Sequence, residues 1–150
     1  MIRGEGGADV LIGGQGDDVL TVTDSSFHRI VGGTGIDTLR LEGDGTELDL
    51  SNVSDNRIQS IEVIDLTASG TQTIGATRLD LQLLNNPLVI DGTDEDGLLI
   101  TSGWSITGTE QIDSVTYHVL ENGNTVCKVN ATVAIAVALE GEETTVAIVE

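Results

Sequence analysis

The sequence contains a single cysteine, Cys127, so no disulfide can close within the chain. It has one proline, Pro87, and aromatic residues make up only 2% of it, which leaves Val, Ile and Leu to build a core. Basic residues are scarce: Lys and Arg number 6 against 25 Asp and Glu, a formal net charge of −19. That excess argues against nucleic acid or an anionic membrane as a partner and makes bound divalent cations favourable for the folded state. The longest apolar run, Ala131–Leu139, is too short to span a bilayer. No signal peptide is visible, because Met1-Ile2-Arg3 leads straight into glycines. Catalytic signatures are missing as well. His28 and His118 stand in no zinc spacing, and there is no nucleophile elbow, phosphate-cradling loop or basic patch. Carboxylates are plentiful enough for a glycosidase pair, but the aromatics that would line a sugar cleft are nearly absent. The expectation is a protein that is not an enzyme.

Glycine is what the sequence has in quantity, and it is unevenly placed: 11 of its 19 glycines precede residue 46. This shift predicts an internal boundary near Gly45, with a first part over 1–45 and a second over 46–150, packed as one unit. Within the first part Gly13-Gly14-Gln15-Gly16-Asp17-Asp18-Val19-Leu20-Thr21 forms a nine-residue unit. Gly32-Gly33-Thr34-Gly35-Ile36-Asp37-Thr38-Leu39-Arg40 repeats it place for place, and Gly4–Ile12 repeats it with Glu5 in the second glycine's place. Glycines let a turn enter positive φ, which a Cβ penalises. Carbonyl oxygens are then free to converge with the carboxylate of Asp18 or Asp37. A hard cation that takes about six to eight oxygens, such as Ca²⁺, suits this donor set better than zinc or copper. Leu11, Leu20 and Leu39, at place eight of each unit, point to a shared narrow core, which a glycine-rich linker would not need.

Gly13 and Gly32 are 19 residues apart, one more than two units, with the glycine-free coil Val22–Val31 between them. This register predicts that the turn Gly13–Asp18 stacks on Gly32–Asp37 and holds Ca²⁺ through Asp18 and Asp37, with the carbonyls of Gly13, Gly14, Gln15, Gly16, Gly32, Gly33, Thr34 and Gly35. On the other side Gly4–Asp9 faces Asp24-Ser25-Ser26, a poorer half-site drawing on Asp9 and Asp24. His28 reads as a structural or exposed residue of the irregular coil.

Beyond Gly45, Glu47–Leu50 and Ser60–Thr67 read as strands, the second with both faces partly covered. Leu79–Leu84 fits a strand or a short helix equally, and Pro87 ends it at Asn86. Leu88–Ile90 and Leu98–Ile100 are short apolar strands around the acidic loop Asp91–Gly97. That loop fails the spacing of a helix-loop-helix calcium loop and reads as a solvated turn, with a weak or shared calcium contact as the alternative. Trp104 reads as a core or lid residue before a sugar-stacking platform. Val115–Leu120 and Thr125–Val129 flank a hairpin turn at Glu121–Asn124. Thr132–Leu139, the turn Glu140–Glu143 and Thr144–Val149 complete what reads as antiparallel hairpins closing the end. Asn52-Val53-Ser54 and Asn130-Ala131-Thr132 match the glycosylation triplet, which is common by chance.

The nonapeptides resemble the RTX (repeats-in-toxin) family of bacterial proteins, over about Gly4–Leu41. The resemblance implies calcium held between stacked turns by Asp18 and Asp37, with Asp9 weaker, export by type I secretion, and folding in external calcium. The stretch from Ser26 to Thr67 is similar, less specifically, to segments of long adhesin-like surface proteins. The expected fold is all-β: a short calcium-binding parallel β-roll or solenoid, continuing into irregular β-helix-like coils and C-terminal antiparallel hairpins. The expected role is a calcium-binding structural module of a secreted or cell-surface protein, adjoining upstream domains of a longer chain. The alternatives are a recognition module for carbohydrate or another surface, and the non-catalytic tail of a secreted enzyme.

Overall fold

Apolar residues recur in this sequence at intervals that return them to the same place on successive strands, and the fold follows from that. The computed structural model describes residues 1–4, 7–54, 56–84, 87–101, 103–138 and 145–147. In chain order the strands are β1 (Ile2–Arg3), β2 (Val10–Gln15), β3 (Val19–Val22), β4 (Arg29–Thr34), β5 (Thr38–Leu41), β6 (Thr46–Asp49), β7 (Ile58–Gln59), β8 (Val63–Asp65) and β9 (Gln72–Ala76). The helix α1 (Arg78–Leu84) follows, then β10 (Leu88–Asp91), β11 (Gly97–Thr101), β12 (Ser105–Ile112), β13 (Val115–Asn122), β14 (Thr125–Asn130), β15 (Ala134–Ala138) and β16 (Thr145–Ala147).

The strands form three sheets. Their orders are β1-β3-β5-β8-β10-β14-β13-β12, β16-β15-β11-β9-β6 and β2-β4-β7. Pairing is parallel throughout, except along β14-β13-β12 and between β15 and β16. The protein is thus mostly β, with parallel sheets, a few antiparallel strands and little helix.

Register lines the core residues into columns. In the largest sheet Leu20, Leu39, Ile64, Ile90 and Val129 follow one another rung by rung, each fully buried. Leu11, Ile30 and Ile58 form a second column, and Leu48, Ile74, Leu98 and Ile135 a third. Each such side chain contributes about 1.5–3 kcal/mol on burial. One apolar cluster runs from Leu11 to Ile135, across Gly45. Trp104 joins it, 7% exposed.

Strand ends are turned by a recurring device. Asp24, Asp49, Asp65 and Asn130 each accept the N–H and the O–H of the Ser or Thr two residues on: Ser26, Ser51, Thr67 and Thr132. Such local bonds compete with strand pairing and turn the chain. The Asn130-Ala131-Thr132 triplet is one of these corners.

Leu79–Leu84 resolves to helix because Thr77 and Asp80 cap it reciprocally. The Thr77 N–H and O–H donate to Asp80 Oδ2, both at 2.8 Å, and the Asp80 N–H donates to Thr77 Oγ1 at 3.2 Å. The hairpin at Glu121–Asn124 forms, with Asn122 opposite Thr125. The C-terminal strands are not all antiparallel: β14 also lies parallel to β10, and β15 parallel to β11. Alternation shows which face is buried but not the direction of the neighbouring strand. The long strand β12, largely exposed, has no counterpart in the sequence reading. The turn Glu140–Glu143 lies outside the described residues.

Candidate metal centre

The glycines of the two complete units serve two different needs. Gly14 and Gly33 have φ of 103° and 113°, where a side chain is strained. Gly33 needs space as well, since a Cβ on it would meet the Gly14 carbonyl oxygen at 2.0 Å, and Gly13 and Gly32 need space alone. A Cβ on Gly13 would meet the Gly32 carbonyl oxygen at 2.4 Å and Asp18 Oδ2 at 2.8 Å. A Cβ on Gly32 would meet the Ser60 carbonyl oxygen at 1.9 Å and Asp37 Oδ2 at 2.6 Å. The aspartate at place six of each unit therefore folds back onto the glycine at place one. Asp9 does the same at Gly4, where a Cβ would lie 2.9 Å from Asp9 Oδ2.

The turn 13–18 stacks on the turn 32–37, as their 19-residue offset predicts. Gly14 is opposite Gly33 and Gln15 opposite Thr34. The Gly16 N–H donates to the Thr34 carbonyl at 2.8 Å, and the Thr38 N–H to the Asp18 carbonyl at 2.8 Å. Asp18 and Asp37 come together directly, the Asp18 N–H donating to Asp37 Oδ1 at 2.9 Å. Asp17, which the sequence reading passed over, accepts the Ile36 N–H at 2.8 Å. The motif leaves place five variable, so only the stacked partner reveals that role. Gln15, Gly16, Thr34 and Gly35 are exposed on the rim, whereas Gly32 is buried.

Charge is the feature that local packing leaves unanswered. Asp37 is fully buried and Asp18 partly so, and Oδ2 of each is buried without a hydrogen-bond partner. A buried carboxylate oxygen that has lost its water and gained no donor is costly. Among the described residues no three Asp, Glu, His or Cys side chains converge. Main-chain carbonyls stand beside these oxygens, the Gly32 carbonyl crowding the same face of Gly13 as Asp18 Oδ2, and carboxylate plus carbonyl oxygen is the donor set of a hard divalent cation. The residues present fit Ca²⁺. Asp18 and Asp37 would hold it with the turn carbonyls, and the ion would neutralise their charge between the stacked turns.

The other side of the fold is built differently. Ser26 faces Gly7, whose N–H donates to Ser26 Oγ at 3.1 Å. The Asp9 carbonyl accepts the His28 and Arg29 N–H groups at 2.7 and 3.2 Å. Asp24 is exposed, and its carboxylate takes the Ser26 hydroxyl and N–H, which together hold it below the usual carboxylate range. Gly7 thus meets Ser26, but the Asp9 carbonyl pairs one step further on and Asp24 is engaged in its own corner. His28 is exposed in that coil, and Arg57 lies over the Phe27 ring at 4.9 Å.

The acidic loop after β10 is not wholly solvated. Asp94 and Glu95 are exposed, but Asp96 is 1% exposed. It accepts from the Gln72 N–H at 2.9 Å, the Thr93 N–H at 2.8 Å and the Thr93 hydroxyl at 3.0 Å. With three donors around it, Asp96 locks a turn and leaves no oxygen calling for a metal.

Stacked glycine turns whose inward carboxylates each keep one oxygen without a partner, on parallel strands with an aliphatic core, are the arrangement of a cation-binding module. The family described as the RTX calcium-binding nonapeptide repeat (4 copies) matches at residues 1–22, so this part of the chain carries that repeat. The unit 32–40 lies beyond the matched span but stacks on it in register. No curated protein and no solved structure matches the chain. Repeats of this kind bind Ca²⁺ structurally and are typical of secreted bacterial proteins. No helix among the described residues is long and apolar enough to cross a membrane.

Proposed function

We propose that this chain is a calcium-stiffened, non-enzymatic structural module of a type I-secreted bacterial protein, working outside the cell or at its surface. The observation that carries the reading is the pair of buried, unpartnered carboxylate oxygens on Asp18 and Asp37, set in stacked turns of the RTX kind. Without a cation that arrangement opposes folding, and with one it favours it, so external calcium acts as the trigger. The net charge of −19 adds a general repulsion that calcium relieves.

The strand order supports a solenoid reading of the fold. From β2 to β5 the chain alternates between the three-stranded and eight-stranded sheets, and from β8 to β11 between the eight-stranded and five-stranded ones. Each return adds one rung to the Leu20–Val129 column. The antiparallel strands β13 and β12 then cover the last rung of the largest sheet. In this reading calcium orders the first rungs and the aliphatic columns carry that order through the rest.

Thermal unfolding of the whole chain, followed by circular dichroism with calcium and with chelator, tests the proposal. A clear rise in the midpoint with calcium is expected. Superimposable transitions would sink it.

A further inference from the structure

Residues 60–62 carry no repeat motif, yet they stack on the turn 32–37 much as that turn stacks on 13–18. Val63 is in register with Thr38, as Thr38 is with Val19, so Glu62 continues the column begun by Asp18 and Asp37. The hydrogen bonds repeat too. The Asp37 N–H donates to Glu62 Oε2 at 2.8 Å, just as the Asp18 N–H donates to Asp37 Oδ1 at 2.9 Å.

The carbonyls repeat as well. Ser60 has φ of 56°, the left-handed region that non-glycine residues seldom enter and that persists where surrounding structure enforces it. Its carbonyl oxygen and Asp37 Oδ2 crowd the place a Gly32 Cβ would take, at 1.9 and 2.6 Å. At Gly13 the equivalent place is crowded by the Gly32 carbonyl oxygen and Asp18 Oδ2, at 2.4 and 2.8 Å. The two sockets are one construction, a rung apart. Asp37 is 0% exposed and its Oδ2 has no partner. The Cα hydrogens of Gly32 touch these oxygens but are too weak as donors to replace what a buried carboxylate has lost.

We propose that a second divalent cation binds here, between the turn 32–37 and residues 60–62, with Asp37, Glu62 and the Ser60 carbonyl as donors. The proposal rests on the calcium reading above and extends it to a rung that no glycine motif marks. Asp37 then serves both ions, and Glu62 reaches with a longer side chain where the backbone gives only a shortened turn.

Calorimetric titration of the full chain with calcium, beside Glu62→Gln and Asp18→Asn, tests it. Each substitution is expected to remove one equivalent relative to the parent, and Asp37→Asn to remove two. A Glu62→Gln chain that binds as many equivalents as the parent overturns the second site and leaves the first standing. A parent that binds no calcium overturns both. If Glu62→Gln does not fold, amide resonances of Ser60 and Ile61 in the parent decide. A shift that saturates only with the later equivalent supports the site, and one complete with the first equivalent, or absent, overturns it.

Discussion

The Asp18 backbone N–H donates to Oδ1 of Asp37, 19 residues on, and the other oxygen of that carboxylate is left buried with no donor. The first half of this relationship fixes the register of two glycine turns. In the function proposed above, the second half makes the register depend on a cation.

Asp37→Asn separates these halves. The amide retains an acceptor for the Asp18 N–H but carries no charge. In chelator the variant is expected to melt at or above the parent, since an uncompensated buried charge is gone. In saturating calcium it is expected to melt below the parent, whose stabilisation grows as RT ln(1 + [Ca²⁺]/Kd), about 2.7 kcal/mol at a hundredfold excess over Kd. Asp18→Ala with Asp37→Ala should abolish the calcium effect, while Asp94→Ala, at an exposed turn position, should leave it intact. Equal losses from both would refute the site.

The two kinds of glycine predict different penalties. Gly14→Ala places a Cβ with nothing within 4 Å, so its cost is the positive φ alone, about 1–2 kcal/mol. Gly32→Ala drives a Cβ into the Ser60 carbonyl and the Asp37 carboxylate, and should exceed that, at about 3 kcal/mol. Urea unfolding in calcium measures both. Equal midpoints would mean that the crowding at Gly32 relaxes without cost.

Much of this was legible in the sequence, and the reason is periodicity. Place-eight leucines predicted Leu11, Leu20 and Leu39 in the core, and the 19-residue offset predicted which turns meet. The Glu62 rung was not legible, because 25 residues with no motif separate it from Asp37 and only the sheet register closes that distance. Asp96 is hidden from the sequence for a related reason: its turn is acidic, but one of the donors that engage it, the Gln72 N–H, comes from another strand. RLDLQLL satisfies both periods, so the sequence leaves α1 open between strand and helix. The reciprocal Thr77–Asp80 cap settles it.

Asp65 predicts part of the acid response. Burial raises its carboxyl, but the Thr67 hydroxyl and N–H and the Arg40 guanidinium outweigh that and hold it below the ordinary 3.8. Arg40 Nε donates to Asp65 Oδ2 at 2.8 Å. A depressed folded value means the contribution is complete above about pH 4 and is lost as pH falls through the lower, folded value. Asp65→Asn should therefore destabilise the protein at pH 6 and narrow its difference from the parent as pH drops below 3.8. Chemical denaturation across that range in calcium-free buffer checks it. A difference that stays constant to the lowest pH would show that the Asp65 charge contributes nothing.

Cys127 offers a test of how far calcium's effect travels. The thiol is wholly buried, and burial pushes it up to about 12, so neither exposure nor thiolate favours reaction in the folded state. It sits on β14 opposite Leu88, on the sheet that carries the column from Leu20 to Val129. If that column transmits order as one cooperative unit, a thiol reagent labels Cys127 only through openings that calcium at Asp18 and Asp37 suppresses. Labelling should then slow on adding calcium by the factor that matches the gain in global stability. A labelling rate indifferent to calcium, in a chain whose first rungs are calcium-stabilised, would mean that the two ends of the column open independently.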